Sequence, residues 1–423
     1  MNKTLKTTLG QVCDFIGGSQ PAKKYFSPIK HKGFIRLIQI RDYKTDNFIT
    51  YIPKDSTRKF CSKKDIMIGR YGPPIFQILR GIEGAYNVAL MKAVPKKDIV
   101  NDYLYYFLCQ EHLFDYINAL SPRTGGQTGV DVVMLKKFPI QLPELSIQKQ
   151  IAKVLSDLDT KIEVNNKINQ ELEAMAKTLY DYWFVQFDFP DRKGKPYKLS
   201  GGKMDYNKEL KRKIPEGWVV KTLLDIATFV NGIACQKFRP NENEDSFRVI
   251  KIREMGTGFN ENSEFVSVNI PEKVIVYDGD ILFSWSATLD VKIWSGGTGG
   301  LNQHIFKVTS KKYPKSYYYF ELLNYLQHFK MMAELRKTTM GHITQEHLKQ
   351  SRIVIPPLEL IKQLDLKLKT ILEQVVLKQK ENQKLMELRD WLLPMLMNGQ
   401  VTVGEAEKEL GMVAEDGDKY GKG

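Results

Sequence analysis

The chain is written twice. Thr8-Leu-Gly-Gln-Val-Cys-Asp-Phe-Ile-Gly-Gly18 is echoed by Thr222-Leu-Leu-Asp-Ile-Ala-Thr-Phe-Val-Asn-Gly232, and Arg36-Leu-Ile-Gln-Ile-Arg-Asp42 by Arg248-Val-Ile-Lys-Ile-Arg-Glu254. Asp65-Ile66 returns as Asp280-Ile281, Asn87 as Asn302, and Tyr103-Leu-Tyr-Tyr-Phe107 as Tyr317-Tyr-Tyr-Phe320. Ile140-Gln-Leu-Pro143 returns as Ile353-Val-Ile-Pro356, and Trp183 as Trp391. Each match is weak alone, but seven in one order at nearly one spacing define an internal repeat. The period is too long for a solenoid and fits a domain plus a helix.

Within each half the hydrophobic pattern changes once. Arg36-Leu-Ile-Gln-Ile and Arg248-Val-Ile-Lys-Ile alternate with period two, which suits half-buried strands. Asp278-Gly-Asp280 before Ile281 reads as a turn feeding a strand. The aromatic stretches 102–118 and 316–335 read as helices packed on a sheet. After Pro143 and after Pro356-Pro357, residues tolerated at a helix start, spacings of three and four take over. Ile147, Ile151, Val154, Leu158, Ile162, Ile168, Leu172, Met175 and Leu179 form one stripe. Leu364, Leu368, Ile371, Val375, Leu385, Leu388, Leu392 and Leu396 form the other, with Pro394 marking its end. Asn165 and Asn382 fall near these seams, where a polar residue fixes register.

The expected organisation is α+β: two similar mixed α/β domains, 1–143 and 212–356, with long helices at 144–186 and 357–397. A Pro/Gly/charge-rich loop at 187–211 and a tail at 398–423 complete it. Each helix would span about 60 Å at 1.5 Å per residue, and such a length with one apolar stripe calls for a partner. The nearest is the other helix, as an antiparallel coiled coil related by a pseudo-twofold axis; the alternative is a helix from another protein, and both contacts could coexist on different faces.

Charge locates the working surface. The net charge is +14; residues 1–143 hold 22 Lys and Arg against 11 Asp and Glu, and residues 212–355 hold 19 against 15. A positive excess on the two globular blocks attracts phosphate backbones. Cys13, Cys61, Cys109 and Cys235 are scattered without a C-x-x-C pair, which argues against zinc and suits a reducing compartment. The start of the chain carries no apolar signal-peptide core and no apolar run approaches a membrane span, so the expected location is the cytoplasm, with no membrane partner.

This organisation resembles the specificity subunit of type I restriction-modification systems, a bacterial defence family. The resemblance covers nearly the whole chain and is most specific at the helix entries Ile140-Gln-Leu-Pro-Glu-Leu-Ser-Ile-Gln-Lys-Gln-Ile151 and Ile353-Val-Ile-Pro-Pro-Leu-Glu-Leu-Ile-Lys-Gln-Leu364. Gln150 and Gln363 there look like the family's glutamine one turn into the helix. The exits Leu179-Tyr-Asp-Tyr-Trp-Phe184 and Leu388-Arg-Asp-Trp-Leu392 are also similar. Gly126-Gln-Thr-Gly129 has only a loose counterpart in Met340-Gly-His342, which lacks the glutamine.

The resemblance implies that the 1–143 and 212–356 blocks are target-recognition domains. Each would read one half of a bipartite double-stranded DNA target. The paired helices would act as a spacer and dock two methyltransferase subunits, with motor-nuclease subunits joining the full complex. It implies no catalytic centre and no cofactor in this chain; S-adenosylmethionine, ATP and Mg2+ would be used by the partners.

The residues agree with a non-catalytic reading. The sequence has no G-x-x-x-x-G-K-[ST] phosphate loop and no Asn-Pro-Pro-aromatic tetrapeptide. Pro190-Asp191 with Glu209-Leu-Lys211 mimics a nuclease pattern, but it lies in the charged loop rather than on a rigid sheet. His304, His342 and His347 lack metal-ligand spacing.

DNA contacts call for Lys and Arg at phosphates and for Arg, Lys, Asn, Gln, Ser or Thr at base edges. The candidates in the first domain are Lys23, Lys24, Tyr25, Arg70, Tyr71, Arg123, Thr124 and Gln127. In the second they are Gln236, Lys237, Arg239, Trp285, Arg336, Lys337, Thr338 and His342. Arg36, Arg41, Arg248 and Arg253 recur in both halves and fit structural ion pairs equally well. The differences between the domains predict an asymmetric target. The competing readings are a stand-alone modification or cleavage enzyme, and a helical protein-binding scaffold with nonspecific nucleic-acid-binding domains.

Overall fold

The computed structural model describes residues 5–72, 74–120, 123, 124, 127–335, 342–409 and 411. The chain forms two compact units, one of Met1–Thr160 with Leu385–Gly423 and the other of Lys161–Lys384. Both boundaries fall inside the long helices, Leu145–Phe184 and Leu358–Met397, so each unit holds one domain and a piece of each helix.

In the first unit, Leu5–Thr8 pairs antiparallel with Pro139–Leu142, closing the domain next to the helix entry. One four-stranded sheet runs in the order Cys13–Gly17, Leu90–Pro95, Ile66–Gly69, Ile78–Leu79. The other runs Tyr51–Pro53, Phe34–Ile38, Gly84–Tyr86, Phe60–Cys61, with Phe34–Ile38 parallel to Gly84–Tyr86. The aromatic stretch forms two helices, Asn101–Leu108 and Glu111–Leu120, rather than one.

The second unit repeats this topology strand for strand. Val219–Lys221 pairs with Ile353–Ile355. One sheet runs Thr228–Asn231, Ile305–Thr309, Ile281–Ser284, Asp290–Ile293, and the other Phe265–Ser267, Ser246–Ile250, Gly299–Leu301, Ile275–Val276. Its aromatic stretch is a single helix, Lys315–Leu335.

The repeated residues turn out to be the joints of this scaffold. Gly18 N–H donates to the Leu90 carbonyl (2.9 Å) and Gly232 N–H to that of Ile305 (3.0 Å). The backbone crosses so closely there that a Cβ at Gly18 would lie 2.0 Å from the Asn87 carbonyl oxygen, and one at Gly232 2.2 Å from that of Asn302. Only glycine fits. Asn87 and Asn302 each donate N–H to the end of the neighbouring strand, at Ile38 and Ile250 (3.1 Å each). Asp65 accepts the Ser62 N–H and pairs with Lys92 (3.3 Å); Asp280 accepts the Tyr277 N–H and pairs with Lys307 (2.7 Å). Arg36 pairs with Asp42 and Asp46, and Arg253 with Glu254, while Arg41 lies over Phe48 and Arg248 over Phe259 and Phe265. These arginines serve the scaffold.

The long helices pack together. In the second unit Asn165 meets Asn382 (2.9 Å), while Ala176, Tyr180 and Trp183 share a core with Ile361, Leu364 and Leu368, so the helices run antiparallel. In the first unit Asp159 meets Arg389 (3.0 Å). The buried seam departs from the expected stripe. Asn165, Asn169, Ala176, Tyr180 and Trp183 face inward, whereas Ile168 and Met175 are exposed. The helix carries apolar residues on two faces, and spacing alone merges them. Trp391, unlike Trp183, is exposed, and Pro394 lies inside the helix, which continues to Met397. Gln150 and Gln363 are exposed; the glutamine that pins the first helix is the buried Gln148, which accepts the Val100 N–H and donates to the Asp98 and Pro143 carbonyls.

The expected loop after the first helix is a packed aromatic knot. Phe189 stacks between Tyr197 (4.6 Å) and Trp218 (5.1 Å), Phe187 meets Trp218 edge-on, and Met204–Asn207 pairs with Arg212–Pro215. Burying such rings contributes about 2 kcal/mol each, more than a mere tether needs.

Candidate nucleic-acid interface

Each domain ends its central strand at the same backbone crossing. In the first domain Arg70 follows Ile66–Gly69; its N–H donates to the Ala89 carbonyl (2.8 Å) and its carbonyl accepts the Val130 N–H (3.0 Å). In the second, Trp285 follows Ile281–Ser284, donating to the His304 carbonyl (3.3 Å) and accepting from Ile343 (2.9 Å). Identical bonding holds different side chains at one place.

In the first domain, Arg70 lies over the Tyr71 ring (5.1 Å), and Tyr71 bridges to Gly129. Gly129 adjoins the hairpin of Arg123–Thr124 with Gln127–Thr128, so the structure brings Arg70 and Tyr71 beside the hairpin that carries Arg123, Thr124 and Gln127. A Cβ on Gly129 would press on the Tyr71 ring at 3.1 Å. Lys23, Lys24 and Tyr25 form an exposed 3-10 turn, Lys23–Tyr25, six residues after Gly17, with Lys24 over the Tyr25 ring (5.1 Å). Gly17 itself lies beside the Arg70 guanidinium.

In the second domain, Trp285 meets His304 (5.7 Å between ring centres), His342 (5.6 Å) and Phe306 (5.8 Å), and its indole N–H donates to Asn231 Oδ1 (3.1 Å). His342 and Asn231 are exposed; His304 Nδ1 is buried without a hydrogen-bond partner. The 3-10 turn Cys235–Lys237 matches the turn of the first domain and exposes Gln236 and Lys237. Gln236 and the exposed Arg239 line a cavity of about 300 Å³ with Pro240, Glu264 and Phe265. Arg336, Lys337 and Thr338 lie outside the described residues. Sequence reading missed Asn231 and His304. Their signal was positional: Asn231 stands where the repeat puts Gly17, and His304 where it puts Ala89.

The nuclease-like residues do not converge. The Asp191 carboxylate accepts the Lys193 and Lys195 N–H groups (2.8 Å each) and so closes a turn, while Glu209 pairs with Arg352 (3.1 Å). His347 Nδ1 accepts the Thr344 N–H and caps a short helix. Burial pushes the Cys61 and Cys235 thiols up to about 11, out of the nucleophilic range. Among the described residues there is no group of three His, Cys, Asp or Glu able to hold a metal, and no helix long and apolar enough to cross a membrane.

The repeat has relatives. The family described as type I restriction modification DNA specificity domain matches residues 2–174 and again 215–387. The chain is 27% identical to the type I restriction enzyme MjaIX specificity subunit of Methanocaldococcus jannaschii, over 75% of this chain and 73% of that one. It is 26% identical to the MjaVIII specificity subunit of the same organism, over 93% and 92%. Among solved structures it shares its fold with the type I restriction-modification S subunit from M. genitalium, with a TM-score of 0.57, 14% identity, and 94% and 96% of the two chains covered.

Proposed function

The chain belongs to the type I restriction-modification DNA specificity family, carrying its domain twice, and on that premise we propose how the DNA-recognition work is divided within it. It is a DNA sequence-recognition subunit of a restriction-modification complex. Each domain reads one half of an asymmetric bipartite duplex target. The strand-end crossing and the 3-10 turn supply base contacts, and the surrounding lysines and arginines supply phosphate contacts. Two readers on one chain bind together only when the half-sites lie at the matching separation and helical phase. The unbroken helices Leu145–Phe184 and Leu358–Met397 are suited to set that separation.

The observation that carries this reading is the double family match falling on two domains of identical strand order with different side chains at the crossing. Val164, Ile168 and Met175 form an exposed apolar stripe on the first long helix, and Leu366 and Trp391 are exposed on the second. Such faces suit docked helices, and we assign them to two methyltransferase subunits, one per repeat, with motor-nuclease subunits joining through them. The chain itself performs no catalysis and binds no cofactor; S-adenosylmethionine, ATP and Mg2+ belong to the partners. A helical scaffold with nonspecific nucleic-acid binding is not favoured, because both domains match the DNA specificity family.

Genome-wide mapping of methylated bases in cells with and without this chain tests the proposal. A two-part asymmetric motif with one fixed gap should vanish when the chain is deleted. An unchanged methylation map sinks it.

A further inference from the structure

Four positions surround the strand-end crossing in each domain, and their contents differ in kind. Around the first stand Gly17, Arg70, Ala89 and Gly129: one guanidinium, stacked on the neighbouring Tyr71 ring, among positions without bulk. Around the second stand Asn231, Trp285, His304 and His342: three rings and an amide, with no guanidinium or ammonium. The backbone hydrogen bonds are the same, so the scaffold does not demand the difference.

We propose, resting on the half-site reading above, that this crossing is the base-reading centre of each domain. Arg70 takes a guanine, and Asn231, Trp285, His304 and His342 form a ring-lined site for an A·T pair. The chemistry follows from what each set offers. A guanidinium is a donor-only fork that matches the paired O6 and N7 acceptors of guanine. Gly17 leaves it room, since a Cβ there would lie 3.5 Å from its Nη1, and Gly129 makes room for the Tyr71 ring on which it stacks.

The second site presents ring surface, which suits the thymine methyl group, the one apolar feature of the major groove. Asn231 is oriented for the rest. Its Oδ1 is occupied by the Trp285 indole N–H at 3.1 Å, so its amide N–H groups are left to donate to a base acceptor such as adenine N7 or thymine O4, while the choice of an A·T pair falls to the ring surface. His304 lies tilted against Trp285 with Nδ1 buried and unpaired. An unpaired buried polar atom is a cost to the free protein, and a turn of this ring toward a bound base relieves it.

The test is motif sequencing and duplex binding with the assembled complex carrying Arg70→Ala, His304→Ala or His342→Ala. His342 is exposed, so its variant keeps the fold even where the His304 variant does not. His304→Ala and His342→Ala should each relax one A·T position in one half of the motif and weaken binding to the cognate duplex about tenfold. Binding to a duplex with that half scrambled should be unchanged. Arg70→Ala should relax a G·C position in the other half only. The proposal is overturned if the histidine variants leave the motif intact, relax a G·C position, or loosen both halves together. It is also overturned if His304→Ala abolishes all methylation while His342→Ala changes nothing. A wild-type complex without any bipartite motif would overturn the half-site reading as well.

Discussion

In the first unit, the tyrosine that ties the aromatic helix to the long helix belongs to the domain: Tyr106 donates to Asp159 (2.6 Å). In the second the bond runs the other way, with Tyr180 of the long helix donating to Glu321 of the domain (2.6 Å). The surroundings differ more than the bond. Asp159 also faces Arg80 (3.6 Å) and Arg389 (3.0 Å), so its charge is shared by two guanidiniums. Glu321 is buried among Tyr180, Tyr317 and Phe320 with no ion-pair partner among the described residues, and burial raises its pKa to about 7. The same junction is closed by ion pairs in one unit, and in the other by a hydrogen bond, with Arg212 and Lys177 acting only from a distance, too weakly to offset burial. What the repeat preserves is the joint; how the joint is stabilised has drifted.

That comparison breaks most readily at the glycine crossings. Gly18→Ala and Gly232→Ala should each cost more than about 3 kcal/mol, because backbone rather than a flexible side chain blocks the new methyl. Denaturant unfolding that shows either variant within 1 kcal/mol of wild type, on the scale of ordinary surface changes, would mean the two crossings are not equivalent joints.

Glu321 provides a sharper contrast. Below pH about 4 it is protonated in both folded and unfolded chains. As pH rises the unfolded carboxyl ionises first, so the second unit loses up to about 3 kcal/mol by the time pH passes about 7, and stability is flat above that. Glu321→Gln should remove this slope and raise stability at pH 8. Unfolding curves at pH 5 and pH 8 that shift equally in wild type and variant would refute a net cost of burying this carboxylate.

The smallest effect concerns the strand-turn ion pairs. Side-chain exposure is 12% and 15% for Lys307 and Asp280, against 21% and 32% for Lys92 and Asp65. Lys307→Met should therefore cost about 2 kcal/mol and Lys92→Met about 1. Equal losses would show that burial does not set the difference.

The joints were legible in the sequence because their physics is local and demanding. A glycine under a carbonyl, an aspartate closing a turn, and an asparagine at a strand end admit few substitutes, so they survive twice at one spacing. The long helices were legible for the same reason, through their proline entries and period. What sequence obscured depended on which face of a helix meets which neighbour. Ile168 and Met175 look like core by spacing but point outward, and Trp391 matches Trp183 in order but not in burial. The aromatic knot around Trp218 was hidden among lysines and glycines, whose loop chemistry dominates composition. His304 carries no local signal beyond its lack of metal-ligand spacing, because nothing near it in sequence reveals the indole that another strand brings to it.

The antiparallel closures, Leu5–Thr8 with Pro139–Leu142 and Val219–Lys221 with Ile353–Ile355, have an evolutionary consequence. Each brings the entrance and exit of a domain side by side, so the chain enters and leaves the whole block at one place, as it would a cassette. Recombination with breakpoints in those short strands would exchange the cassette while leaving both helices untouched. A lineage under attack by changing invaders would thereby acquire a new address label in one genetic event.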